Sequence, residues 1–408
     1  MNRLQGPVVA LAILPVLLAA CDGSGGEVAL TPDVDTLADG GVFVRNARDS
    51  VWTDHDRWRL VEDLRIGAAE GRRPDVFGSV PDLTVDDAGR IWVIDGHGAI
   101  LRVFDSAGRF VRSVGREGEG PGEFRSPRHI VQGPDGHVWV SDFTTGRFLR
   151  FDTAGRHVGT RRRFAPDPRD PIIFDATGAL LARQSDLAGT GPRRFVVRYD
   201  PAAGFETLDT IPEPPPLGQD LTFTFRGTSE AVGGRFTLTR PVPFVHQPDL
   251  QLLPNGWGYL AWPGGELYRF GNLELSGDTV LMIERAYVPV AVPDSVVERR
   301  IGGMMGIEGL DRDLVSRRYP PFDAVHRAPD GHWWVRRTLG PGMVGFEVFD
   351  PDGVYLGRVE SELDLSRFTL MHLGNDALYG VWRNEVDVPY VVRLRVERSS
   401  TWSSALSP

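Results

Sequence analysis

Along most of the chain, apolar and polar residues alternate over short runs, and each run stops at a turn built on Asp, Asn or Gly. A period of two marks half-buried strands, and closely spaced Asp-Gly turns between them mark an antiparallel meander. The runs also repeat. Val85-Asp86-Asp87-Ala88-Gly89-Arg90-Ile91-Trp92-Val93-Ile94-Asp95 matches Gln132-Gly133-Pro134-Asp135-Gly136-His137-Val138-Trp139-Val140-Ser141-Asp142 at an offset of 47 residues. Phe104-Asp105-Ser106-Ala107-Gly108-Arg109 matches Phe151-Asp152-Thr153-Ala154-Gly155-Arg156 at the same offset. Four weaker units follow, with first turns at Gly178, Gly256, Gly331 and Asp376.

Repeats of roughly 40–50 residues, each a four-stranded meander, predict a β-propeller. The fold class is therefore all-β, with six blades. The sixth unit runs out near Arg398, one strand short. Trp58 to Gly67 alternates like the fourth strand of unit one, so the N-terminal strand is expected to complete the last blade and close the ring. Two wide gaps hold insertions. The first, from Glu213, reads as a hairpin over Thr222–Phe225 and Arg235–Thr239. The second, between blades four and five, opens at Asp294, a plausible N-cap, and suits a short helix. Gly302, Gly303, Gly306 and Gly309 argue against a long one, and Met304-Met305 offers an adaptable apolar contact. That insertion is either a lid or a loop packed onto the ring.

Composition adds constraints. Gly (48) and Pro (31) are abundant among 408 residues, which suits a chain that turns often. The formal charge is −10, so no nucleic-acid partner is expected. All 45 basic residues are Arg, which excludes a lysine nucleophile, a Schiff base and a P-loop. No metal-protease, hydrolase-elbow or dinucleotide motif is present.

The lone cysteine follows an apolar run, Val8 to Leu18, that is too short to span a bilayer. Leu18-Ala19-Ala20-Cys21 resembles the lipobox of bacterial lipoproteins; the alternative is an ordinary signal peptide. The resemblance implies lipidation of Cys21 and a partner membrane reached through the N-terminal lipid. Gly118-Glu119-Gly120-Pro121-Gly122-Glu123-Phe124, Ser126-Pro127, Val138 to Asp142 and Phe151-Asp152 resemble an NHL repeat. With Trp382 to Val391, they resemble the six-bladed β-propeller lipoproteins of bacteria. The expected layout is a signal peptide over 1–20, lipidated Cys21 and a flexible tether over 21–50, a propeller over 51–398, and a tail over 399–408. The expected location is the bacterial cell envelope, on the periplasmic side or the cell surface, with the protein a monomer.

Chemistry is sparser. Counting seven residues back from each first turn gives equivalent positions on the strands that line the tunnel: Asp82, His129, Pro171, Asp249, Ala324 and Thr369, with Asp323 and His326 beside them. Asp82, His129 and Asp249 form a candidate metal set suited to Ca²⁺ or, through His129, Zn²⁺; the alternative is a water-filled tunnel. Propeller lyases use several tunnel histidines, and this chain supplies one at the equivalent position. The ends of the second strands carry Asp95 and Asp142 in units one and two, and Arg183, Arg336, Arg337 and Arg383 in units three, five and six. The arginines are candidates for anion binding on one face; alternatively they cover apolar blade surface while the aspartates tie down loops. The sequence favours a non-enzymatic scaffold for a protein or small anionic ligand, over a metal-assisted lyase or lactonase at the tunnel mouth.

Overall fold

The computed structural model describes residues 31–398, apart from 72, 163–170, 172, 187–192, 215–221, 230–233, 246–248 and 303–311. Cys21, the 1–20 leader, the 399–408 tail and Met304-Met305 thus lie outside the described residues. The chain opens with β1 (Asp33–Thr36), β2 (Val42–Asn46) and β3 (Arg59–Ile66). Blade one follows as β4 (Leu83–Val85), β5 (Ile91–Asp95), β6 (Ile100–Phe104) and β7 (Phe110–Val114). Blade two is β8 (Pro127–Gln132), β9 (Val138–Asp142), β10 (Arg147–Phe151) and β11 (His157–Arg162). Blade three is β12 (Ile173–Phe174), β13 (Leu180–Asp186), β14 (Arg193–Asp200) and β15 (Glu206–Pro212). The predicted hairpin is present as β16 (Thr222–Ser229) and β17 (Gly234–Pro241).

Blade four comprises β18 (Asp249–Leu253), β19 (Gly256–Gly264), β20 (Leu267–Leu273) and β21 (Thr279–Ala286). Helix α1 (Asp294–Gly302) then precedes blade five: β22 (Ala324–Arg327), β23 (Trp333–Gly340), β24 (Met343–Phe349) and β25 (Tyr355–Arg358). After the two-residue β26 (Glu360–Ser361), blade six supplies β27 (Phe368–Leu373), β28 (Ala377–Arg383) and β29 (Pro389–Glu397). Its fourth strand is β3, antiparallel to β29 from Val391↔Ile66 to Glu397↔Arg59. The molecule is a six-bladed β-propeller, closed by its own N-terminal strand.

Blades one and three share one turn chemistry, in which an Asp carboxylate accepts from the backbone N–H groups two and four residues on. In blade one, the Asp86 carboxylate accepts from the backbone N–H groups of Ala88 (3.0 Å) and Arg90 (2.9 Å) and from Trp92 Nε1 (2.8 Å). Gly89 adopts φ 73°, a conformation that favours glycine, and Gly136 repeats it at φ 74°. The turn therefore fixes both the hairpin and the neighbouring tryptophan. Second strands such as β5 and β9 are buried along their whole length, because blades pack on both of their faces. One apolar cluster fills each of the six seams between blades. The closing strand serves two of them: Leu60 packs with Trp334 and Leu394, and Ile66 with Phe104 and Val391. Burial of such side chains contributes about 1.5–3 kcal/mol each.

Two expectations need correction. The tether over 21–50 is interrupted, because β1 and β2 form a hairpin on blade four, with β2 parallel to β21 (Val42↔Leu281 to Asn46↔Arg285). Phe43 and Val44 are buried there, which anchors the hairpin to the blade rim. Asp294 does not cap the helix but stands in its first turn, where the Pro293 carbonyl accepts from Val296 and Val297. Val297 and Ile301, one turn apart, bury the helix against Val242, Val292 and Val315.

Candidate functional site

The tunnel positions divide. Asp82 and His129 come together from neighbouring blades, with His129 Nδ1 3.6 Å from Asp82 Oδ2. Both Asp82 oxygens already accept backbone N–H groups, from Leu83 (2.9 Å) and Ile130 (3.0 Å). The carboxylate thus ties blade one to blade two. Asp249 opens β18 opposite Leu260, and its side chain lies outside the described residues. Asp323 is ion-paired to Arg336, and burial still holds its carboxyl above the usual range. Among the described residues, no three His, Cys, Asp or Glu side chains stand close enough to share a metal ion.

Two further histidines sit on innermost strands, His326 on β22 and His372 on β27. Burial lowers the pKa of each to about 4, aided at His326 by the charge of Arg336. His372 packs edge-on to Tyr379 at 5.8 Å. The spacing count put His326 beside the tunnel position of unit five but passed over His372, which stands nearer the turn than the counted Thr369.

Each of the four candidate arginines is engaged by an acidic neighbour. Arg183 is buried beside Glu213 (3.2 Å) and over the Trp257 ring (5.1 Å). Arg383 closes its own turn by donating to the Asp387 carbonyl (3.1 Å). Arg336 and Arg337 are adjacent on β23, so they point to opposite faces. Of the acidic positions, Asp95 holds Arg102 (2.7 Å), and Asp142 accepts from the backbone N–H groups of Arg125 (2.7 Å) and Ser126 (3.1 Å). These groups stabilise loops and seams.

Arg337 alone leads to a site. It lines a cavity of about 420 Å³ between blades four and five, away from the tunnel strands. At its base, Glu347 of β24 is 0% exposed. Glu347 Oε1 accepts from Arg337 Nη1 (2.8 Å), and Oε2 accepts from Arg285 Nη1 (2.9 Å) and the Tyr268 hydroxyl (2.7 Å). Two buried guanidinium groups therefore share one carboxylate. Arg285 also donates to the Arg48 carbonyl (2.9 Å) and lies over the Tyr355 ring (3.6 Å), while Arg337 lies over Tyr287 (4.7 Å).

Some donors in the cavity wall are unused. Arg285 is 5% exposed and Tyr287 1%, yet neither the Arg285 Nε nor the Tyr287 hydroxyl has a hydrogen-bond partner among the described residues. A buried donor without an acceptor is costly, typically about 1–3 kcal/mol. Burial raises the pKa of the Tyr287 phenol and pushes that of Tyr355 up to about 12, so both are neutral donors at physiological pH. Arg358 at the mouth has no acidic partner among the described residues. Five arginines against three acids leave the lining with two positive charges in excess, in a chain of net charge −10.

The sequence does hold a signal for this site. Glu347 is a single charge within Met343-Val-Gly-Phe-Glu-Val-Phe349, a third strand that must be buried. A carboxylate in such a place requires cationic partners.

Comparison with known proteins agrees with the fold. A family model described as a 6-bladed β-propeller matches residues 76–167. No curated protein matches the chain. A Bacteroides fragilis protein with a provisional description as exported is similar over 87% of this chain and 100% of its own, at 12% identity and a TM-score of 0.51. Virginiamycin B lyase from Staphylococcus aureus aligns over 83% of this chain and 99% of its own, at 12% identity and a TM-score of 0.43. A gluconolactonase from Xanthomonas campestris aligns over 86% and 99%, at 14% identity and a TM-score of 0.33. At these identities the likeness is one of fold, and the chain is similar to six-bladed β-propeller proteins in architecture.

Proposed function

We propose that this protein is an envelope-anchored bacterial lipoprotein that acts as a non-enzymatic binding scaffold for a small anionic ligand held between blades four and five. The observation that carries the reading is the pair of buried arginines sharing the single carboxylate of Glu347, beside two donors without partners. Guanidinium groups bind oxyanions through directed N–H donors. The rival reading, a metal-assisted lyase or lactonase at the tunnel mouth, has less support, because the oxygens of Asp82 are already engaged by backbone. The lipobox-like Leu18-Ala-Ala-Cys21 supports the anchor.

Calorimetric titration of the full-length protein with carboxylates and phosphates tests the binding reading. Saturable binding that weakens with salt, with the ligand recovered unchanged, is expected. Chemical turnover of the ligand, or no saturation by any anion, refutes it. For the anchor, Cys21→Ser should leave the protein absent from carbonate-washed membranes. Retention there would remove the lipoprotein part of the proposal.

A further inference from the structure

The two ends of the ring expose different surfaces, and the difference orients the protein on its membrane, an inference that rests on the anchor proposed above and not on the ligand. Within a blade, turns join the first strand to the second and the third to the fourth at one end of the sheet, and a hairpin joins the second to the third at the other. The turns of the first end are polar, and among the described residues none of them exposes a large apolar side chain. The hairpin end exposes Phe143 in blade two, Leu267 in blade four, Met343 in blade five and Val386 in blade six, the last two 61% and 76% accessible. Connections between blades emerge at this end too, and the one after β21 adds the exposed Val288 and Leu314.

Isolated apolar residues are ordinary on a protein surface, but these recur at one structural position on four blades. They are spread around the ring rather than gathered in one patch, so a planar surface meets them together. The N-terminal chain starts from the same end. Asp33 pairs with Arg45, Arg45 with Glu284 and Glu284 with Arg269, so β1 begins at the hairpin end of blade four, close to Leu267. Cys21 lies twelve residues before Asp33, a reach of at most about 43 Å. Turning the opposite end to the membrane would use up to about 26 Å of that to pass the eight residues of β21. We propose that the hairpin end faces the bilayer, with its apolar tips seated at the boundary of lipid headgroups and acyl chains. Val386 stands between Glu385 and Asp387, so the contact is apolar rather than electrostatic.

Full-length protein reconstituted through its anchor into phosphatidylcholine vesicles tests the orientation. Acylated Cys21 takes up no thiol label, so each introduced cysteine reports one site. A polarity-sensitive label at Met343→Cys or Val386→Cys should be quenched by nitroxide-bearing phosphatidylcholine several times more than one at Ala107→Cys or Ala154→Cys, on exposed turns of the other end, and should stay so in high salt. Met343→Asp with Val386→Asp should lower the docked-to-undocked ratio, read from a label at Leu314→Cys, at least about tenfold, because two apolar contacts with lipid are lost. The urea midpoint should hold, since both side chains are exposed in the folded protein. Equal quenching at both ends, or more at Ala107 and Ala154, overturns the orientation. Quenching abolished by salt, or unaffected by the two aspartates, overturns the apolar contact. Each of these leaves the anchor standing. Unsubstituted protein that takes up label at Cys21, or that does not float with the vesicles, removes the anchor and the orientation with it.

Discussion

Glu347→Gln is the sharpest perturbation of the cleft. The substitution keeps volume and shape but removes the one negative charge between Arg285 and Arg337. It also replaces an oxygen that accepts from Arg337, or from Arg285 and Tyr268, by an amide NH₂ that accepts nothing. Taking one partner from a buried ionic cluster costs about 3–5 kcal/mol, because the remaining charge is left uncompensated. Here both guanidinium groups line a cavity, which gives them partial access to water, so the low end, about 3 kcal/mol, is expected. Against a net stability of roughly 5–15 kcal/mol, that is a large fraction.

Urea unfolding followed by tryptophan fluorescence reads the effect. At an m-value of roughly 3 kcal/mol/M, the midpoint should fall by about 1 M. The mechanism makes two further demands. Replacing the whole cluster, with Glu347→Leu, Arg285→Met and Arg337→Met together, should recover most of the loss, since apolar groups of similar shape can be nearly neutral where a broken pair is not. An anion that binds in the cleft should stabilise Glu347→Gln more than the parent, because ligand that binds only the folded state adds stability and the variant carries one more uncompensated charge. A loss below about 0.5 kcal/mol, or a triple variant as unstable as the single one, would refute the reasoning, since neither is compatible with a buried charge left unpaired.

Stability should also fall with acid. His326 and His372 stay neutral in the folded state down to about pH 4, whereas an unfolded histidine protonates near 6.5, so their contribution is complete above pH 6.5 and is lost as pH drops towards 4. Both keep some exposure, so about 1–2 kcal/mol each is expected, and His326→Asn with His372→Asn should flatten the urea midpoint over this window; an unflattened profile would assign the loss to other groups. Deleting residues 1–67 should produce an aggregating or early-melting protein, because blade six loses the strand that carries Leu60 and Ile66 and exposes an open edge. A soluble fragment from residue 68 with the parent's melting temperature would contradict that.

The ring was readable because its chemistry repeats. The Asp86–Gly89 and Pro134–Gly136 turns and the buried second strands recur at one offset, and Trp58 to Gly67 carries the alternation of the strand it replaces. The hairpin on blade four was not readable from its outer strand. All four residues of β1 are exposed, so no apolar pattern marks Asp33-Val-Asp-Thr36 as a strand, and backbone pairing with β2 determines it. The cleft was missed for a related reason. Arg285 is the penultimate residue of β21, Tyr287 lies just beyond it, and Glu347 sits in β24, so no position common to all the blades picks them out. Counting along repeats finds what the blades share, such as the Asp82–His129 contact, and passes over what belongs to one seam. It also placed Arg183, Arg336 and Arg383 together, although a strand position alone does not say which face a side chain takes or which neighbour already holds it.

Closure of the ring also explains why that seam differs from the other five. Between β2 on the rim of blade four and β3 on the rim of blade six, the chain has to cross blade five. It does so against the outer strand β25, where the backbone N–H of Trp52 donates to the Leu356 carbonyl (2.8 Å) and that of Val51 to the Tyr355 carbonyl (3.4 Å). Trp52 and Trp58 are both buried and pack with ring centroids 5.0 Å apart at a 39° tilt, with Trp58 6.0 Å from Trp334 of blade five. Ordering such a crossing costs about 1–2 kcal/mol per residue in backbone entropy, which the two tryptophans help to offset. The same crossing brings Arg48, Asp49, Ser50 and Arg57 to the cavity as one of its walls, and the Arg48 carbonyl orients Arg285 from outside. The cleft is therefore walled by three separate stretches of chain: the end of blade four, the middle of blade five and the N-terminal crossing. No single repeat contains it. A ligand held there would link the crossing to both blades, so its binding and the closure of the ring should stabilise each other.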